Sequence, residues 1–168
     1  ACADQLDGVR SQAARDRRPR VLALDDSAAA VERTRDNAVR NRLTVDARCW
    51  NAFDALRALE SEGRRFDVVV IDPPALAKRA SALPAAERAY KELNLRGLRL
   101  LEPGGLLLTC SCSARPRPFE FEELLADAAR DAGRSAQLLY RRGPAEDHPA
   151  LLGVPETEYL KCWVLRVL

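Results

Sequence analysis

The chain has 168 residues and a formal charge of +2, from 27 basic and 25 acidic side chains. That length suits one domain with a real core, and the near-balance of charge leaves no strong global field, so contact with nucleic acid would need local clusters of arginine. No apolar run reaches the roughly 20 residues of a membrane helix, and no signal-peptide pattern opens the chain. Its five cysteines, Cys2, Cys49, Cys110, Cys112 and Cys162, have no metal-type spacing, which argues against a disulfide framework or a metal site. Reduced thiols and a cytoplasmic setting are the expectation.

Residues 1–19 are polar, with at most a thinly apolar helix over 1–15 and a basic turn after it. Val21 to Leu24 then reads as a short strand that ends on Asp25-Asp26-Ser27. Ser27 or Asp26 caps a helix over 28–41. An acid at such a strand tip either caps that helix or accepts hydrogen bonds from both hydroxyls of a ribose. Thr44 to Trp50 reads as a strand, followed by Asn51 and a helix from about Ala55 to Ser61.

Phe66-Asp67-Val68-Val69-Val70-Ile71-Asp72-Pro73-Pro74 is the stretch around which the rest is arranged. Four β-branched residues in a row predict a strand buried on both faces. Pro73 holds Asp72 extended, and two prolines stop the strand and leave Asp72 at its carboxyl end. Ligands of open α/β sheets sit at that edge, although an Asp there can also be a simple cap.

Residues 75–84 predict a loop or broken helix, and 85–101 a helix stopped by Glu102-Pro103-Gly104-Gly105. Leu106 to Ser113 predicts a second buried strand with a polar tip, Ser111-Cys112-Ser113. Cys112 is then a nucleophile or a small buried hydrophobe, and Cys110, two residues back on the same face, is its confounder. Phe119 to Ala132 predicts a helix closed by Gly133, 136–140 a strand, and 159–168 a final strand returning against it. Arg115, Arg117, Arg141 and Arg142 are expected in loops, as a solvated surface or as phosphate contacts. Strand and helix alternate, with a β-rich carboxyl end, which predicts a doubly wound α/β sheet with an antiparallel pair at one edge. The right-handed crossover rule then puts Asp25, Asn51, Asp72 and Ser111-Cys112-Ser113 on one rim.

These residues resemble the class I S-adenosylmethionine-dependent methyltransferases, and more narrowly the large-subunit ribosomal-RNA cytosine-5 methyltransferases. The resemblance is carried by residues 21–27, 66–74, Tyr90-Lys91-Glu92-Leu93-Asn94, the 103–113 stretch, Asp147-His148-Pro149 and 155–161. It implies a Rossmann-like fold, S-adenosyl-L-methionine as cofactor and ribosomal RNA as partner. It implies cofactor contacts from Asp25, Asp26, Ser27, Asn51, Ala52, Asp72 and Pro73. Substrate contacts would come from Pro74, Tyr90, Lys91, Asn94, Ser111 and Arg115. Cys112 would attack carbon 6 of a cytosine, with Asp72 on the polar edge of the ring, able to assist that attack if burial raises its pKa. Ala75 stands where related enzymes have a second cysteine.

The family also implies a first strand ending in a glycine-rich turn, and nothing before Val21 supplies it. One truncated catalytic domain is therefore expected over 1–168, impaired when isolated, with sheet edges open to oligomerisation. The alternatives are a non-catalytic methyltransferase-like module that binds RNA or protein, and an amino-group methyltransferase.

Overall fold

The computed structural model describes residues 19–76 and 82–168. The expected helix over 1–15, the expectation that no first strand precedes Val21, and most of the loop after Ala75 lie outside the described residues. The chain divides into two compact units, residues 1–52 and 53–168.

In the first unit, β1 (Val21–Asp25) pairs in parallel with β2 (Val45–Cys49), and α1 (Ala28–Arg40) connects them. Ser27 caps α1: its hydroxyl accepts from the Ala30 N–H at 3.3 Å. Val31 and Ala38 of α1 and Ala47 of β2 are buried. The Arg35 guanidinium donates to the Ala47 carbonyl at 2.7 Å, which ties the helix to the strand. The core here is small, and most of this unit's side chains meet solvent.

The chain continues through α2 (Ala52–Ser61), β3 (Phe66–Ile71), α3 (Leu83–Arg99), β4 (Leu101–Ser111), α4 (Pro118–Ala132), β5 (Ala136–Arg142) and β6 (Lys161–Val167). The second unit's sheet has the order β3-β4-β6-β5. β3 and β4 are parallel, and β6 runs antiparallel to both β4 and β5. The fold is thus α/β and Rossmann-like, with a mixed sheet. The expected antiparallel pair, β6 and β5, forms one edge of the sheet, with β6 inserted between β4 and β5. Its alternate residues Trp163, Leu165 and Val167 are buried, as a central strand requires.

Three expectations need correction. β3 is not buried on both faces, since Val68 and Val70 are 53% and 62% exposed. Among the described residues β3 pairs on one side only, and α3 covers only the face of Val69 and Ile71. That cover is close because Gly97 of α3 has no side chain: a Cβ there would stand 2.7 Å from Ile71 Cδ1. Second, α3 ends at Arg99, and Glu102-Pro103-Gly104-Gly105 lies within the span of β4. Phe66 pairs with Leu101 and Val68 with Leu106, so those extra residues bulge out of the ladder, helped by a positive φ at Gly104. Third, Arg141 and Arg142 belong to β5, not to a loop.

Between α3, α4 and β6 lies an aromatic cluster. Tyr90 meets Phe121 edge-on at 5.9 Å, and Phe121 meets Trp163 at 5.2 Å. All three are at most 2% exposed. Glu60 of α2 joins the Arg96 and Arg99 guanidinium groups of α3, and Glu92 joins Arg57 and Arg96, fastening α2 to α3.

Candidate active site

At the carboxyl end of the first unit's sheet, β1 stops at Asp25 opposite Cys49 of β2. The Asp25 Oδ1 accepts from the Ser27 N–H at 2.8 Å, a local turn that aims the carboxylate beyond the strand. The Trp50 N–H donates to the Asp25 carbonyl at 2.9 Å, so Asn51 follows on the same end as Asp25. Asp25, Asp26, Ser27, Asn51 and Ala52 are all exposed. An exposed carboxylate beside a helix N-terminus and an amide is a donor–acceptor set that fits a ribose and an adenine edge. Ser27 serves as the cap of α1, and Asp25 braces the turn before it. The cap and ribose readings of Asp25 are therefore compatible, because one oxygen suffices for the turn.

In the second unit the parallel pair β3 and β4 ends at one edge, with Ile71 opposite Thr109. Asp72 and Pro74 are exposed there, and Pro73 is half-buried. The expected burial of Asp72 is not found. Cys112 follows directly on the end of β4, is half-buried, and points its Sγ at the Pro73 carbonyl at 3.8 Å. The thiol is thus brought against Asp72-Pro73 rather than sunk in the core.

Cys110 is different. It is 7% exposed and pairs across the sheet with Cys162. Burial, then the hydrogen bond with Cys162, pushes its thiol up to about 12. A thiol held neutral through the physiological range makes a poor nucleophile. The two cysteines are therefore told apart by environment, which their spacing left open.

The segment after β4 is held from beneath. Tyr90 of α3 places its hydroxyl 3.1 Å from Ser111 Oγ, which donates to it, and 3.2 Å from Ser113 Oγ. One phenol thus bridges the two serines on either side of Cys112. The Asn94 amide donates to the Tyr90 carbonyl at 2.8 Å. Tyr90, Asn94 and Ser111 are 0% exposed. Their side chains do not reach the surface, and their hydrogen bonds tie α3 to the residues on either side of Cys112. Lys161 Nζ donates to the Ser113 and Pro116 carbonyls at 2.5 and 2.8 Å. Glu120 accepts from the Arg115 guanidinium and from the Arg117 N–H, both at 2.7 Å, and so clamps the same loop to the start of α4.

Lys91 does not join this group. Its ammonium pairs with Asp131 at 2.8 Å, and this pairing raises its pKa. Asp131 lies 13 residues beyond Pro118 on α4, roughly 20 Å along a helix axis. Arg115 is exposed but engaged with Glu120, and Arg141 pairs with Glu122 at 2.6 Å while lying over Trp163. The described residues hold no cluster of His, Cys, Asp or Glu suited to a metal ion, and no helix of theirs is long and apolar enough to cross a membrane.

Sequence reasoning gave Lys161 no role. The signal was available: Lys161 keeps period-two register with Trp163, Leu165 and Val167, which puts a cation on the buried face of β6.

Comparison with known proteins comes to the same architecture. The model of the family described as "Methyltransferase small domain" matches residues 7–133. Over 147 residues the chain is 43% identical to ribosomal RNA large subunit methyltransferase I of Shewanella frigidimarina, covering 86% of this chain and 37% of that protein. The enzyme of the same name from Serratia proteamaculans is 38% identical, with 88% and 38% covered. The chain therefore spans little more than a third of the length of these relatives. Among solved structures, the SMU.776 protein crystallised with SAH superposes with a TM-score of 0.75 at 18% identity, covering 88% of this chain and 39% of that one. A methyltransferase homologue from Pyrococcus horikoshii gives 0.64 at 23% identity, with 89% and 53% covered. At such identities these two likenesses speak for the fold.

Proposed function

Because the chain belongs to the methyltransferase small domain family, we propose that it is the catalytic part of an S-adenosylmethionine-dependent RNA methyltransferase that modifies carbon 5 of a cytosine in ribosomal RNA. The methyltransferase part rests on the family match and on the ribosomal-RNA methyltransferases to which the chain is similar. The cytosine-5 part rests on one observation, the Cys112 thiol lying 3.8 Å from the Pro73 carbonyl beside Asp72.

The cofactor supplies an electrophilic methyl group on a sulfonium. In the first unit Asp25 would hold the cofactor by accepting hydrogen bonds from ribose hydroxyls, and Asp26, Ser27, Asn51 and Ala52 would hold its adenine. In the second unit the Cys112 thiolate attacks carbon 6 of the base. A lone pair of the thiolate forms the S–C6 bond and displaces the C5–C6 π pair onto carbon 5, which would then take the methyl as the methyl–sulfonium bond breaks and S-adenosylhomocysteine leaves. The proton on carbon 5 then leaves, its bonding pair restores the C5–C6 double bond, and the Cys112 sulfur departs with the S–C pair. Asp72 and Pro73 hold the polar edge of the ring, and Pro74 and Arg115 flank it. Tyr90, Asn94 and Ser111 keep the thiol in place. A base in folded RNA must leave its stack to reach this edge.

The test uses ribosomal RNA containing 5-fluorocytosine, which traps the covalent intermediate, and tritiated methyl donor with ordinary RNA. Both are run on the chain and on any longer polypeptide that carries it. Wild type should form the adduct and transfer label. Cys112→Ala should lose both, by at least about a thousandfold in transfer; Cys110→Ala should keep both. Methyl transfer that survives Cys112→Ala without any adduct would point instead to an amino-group acceptor at Asp72-Pro73-Pro74. RNA binding with neither adduct nor transfer would leave a non-catalytic module.

A further inference from the structure

Lys161 opens β6 and is 2% exposed. Among the described residues its ammonium bonds only to the Ser113 and Pro116 carbonyls, which carry no full charge. Burying a cation without a counter-charge is costly. Burial accordingly pushes this lysine down to about 8, while the nearby Cys112 and Glu120 act to raise it. Glu120 is already neutralised by Arg115 and occupied by the Arg117 N–H. Cys110, held neutral, does not compete. The group left to balance Lys161 is the Cys112 thiol, one residue from the carbonyl that Lys161 holds.

The neighbours on every packed element are then accounted for. Tyr90 of α3 is taken up by Ser111 and Ser113, and Cys162 of β6 is hydrogen-bonded to Cys110. Asp72 beyond β3 acts to raise Cys110, as Cys112 itself does.

We propose that Lys161 is a positioning residue for the thiol: its buried ammonium, seated on the Ser113 and Pro116 carbonyls, stabilises Cys112 as the thiolate and fixes the loop that presents it. This rests on the reading of Cys112 as nucleophile. The rate of iodoacetamide alkylation at Cys112, followed by mass spectrometry from pH 6 to 10, reads the thiolate directly. Lys161→Met should move the midpoint up by about one pH unit or more and slow alkylation at pH 7 about tenfold. Lys161→Arg should keep most of the wild-type profile. An unchanged midpoint in folded Lys161→Met overturns the proposal.

If Lys161→Met does not fold, the reciprocal measurement decides, because two coupled titrations shift each other equally. Carbon-13 NMR of the Lys161 Cε follows its titration in wild type and in Cys112→Ser. The lysine midpoint should fall in Cys112→Ser, and equal midpoints overturn the proposal. Neither measurement requires methyl transfer. Coupling without a fluorocytosine adduct would reject the cytosine-5 reading alone, and an adduct without coupling would reject the role of Lys161 alone.

Discussion

The two units build their functional edges by opposite means. In the first, Asp25, Ser27 and Asn51 are placed by contacts between near neighbours: a carboxylate bonded two residues on, and a hydroxyl bonded three residues on. All of these side chains are exposed. In the second, Cys112 is placed by groups 22 and 49 residues away, Tyr90 and Lys161, both almost fully buried. The Asp25 end is a surface shaped by its own turn. The thiol end is a loop stretched over a polar scaffold inside the core. Mutations should therefore separate binding from stability in the first unit and join reactivity to stability in the second.

The largest effect that would sharpen this contrast is at Asp25. Asp25→Asn keeps an oxygen for the Ser27 N–H and so preserves the turn, but it removes the charge and one strong acceptor. Losing charged hydrogen bonds of about 1.5–3 kcal/mol should weaken binding of S-adenosylhomocysteine about 10- to 100-fold by calorimetry. The melting temperature without ligand should stay within a degree or two. A large drop in melting would mean that the carboxylate is a structural brace first, and the contrast would fail on that side.

Tyr90→Phe tests the other side. The phenol oxygen bridges Ser111 and Ser113 in a region closed to water. Removing it takes one hydrogen-bond partner from each of two buried hydroxyls, at about 1–3 kcal/mol in all. Denaturant unfolding should show that loss, and alkylation of Cys112 should slow or speed as the loop loosens while its pH midpoint holds, since Tyr90 carries no charge there. Unaltered stability would mean that the serines find other partners and that the scaffold is not one.

This division also explains what could be read from the sequence. Element type follows from local pattern, so β1, α1, β2 and α4 appear nearly where the apolar periods and caps put them. The positions of Asp25 and Cys112 at strand ends emerged because short motifs carry them. The place of β6 did not emerge, since nothing local says that a final strand will insert between β4 and β5. The burial of Tyr90, Asn94 and Ser111 did not emerge either, because a motif reports nearness in sequence and not which way a side chain faces. Val68 and Val70 looked buried because four β-branched residues describe a strand but not the layers on its two sides.

Ser27 offers the smallest effect and the finest discrimination. Its hydroxyl satisfies one N–H at the start of α1, with 3.3 Å to the Ala30 nitrogen, at an exposed position. Ser27→Ala should cost about 0.5–1 kcal/mol, the low end for a lost cap, because water replaces the hydroxyl and the contact is long. That cost should appear as faster amide exchange over the first turn of α1 rather than as a lower midpoint for the second unit, whose core shares none of these bonds. Cofactor affinity should fall only slightly, since the Asp25 carboxylate keeps the Ser27 backbone N–H whatever the side chain. Were Ser27→Ala to weaken affinity as much as Asp25→Asn, the hydroxyl itself would be a ligand of the cofactor, and the first unit's edge would owe its binding to the cap rather than to the acid.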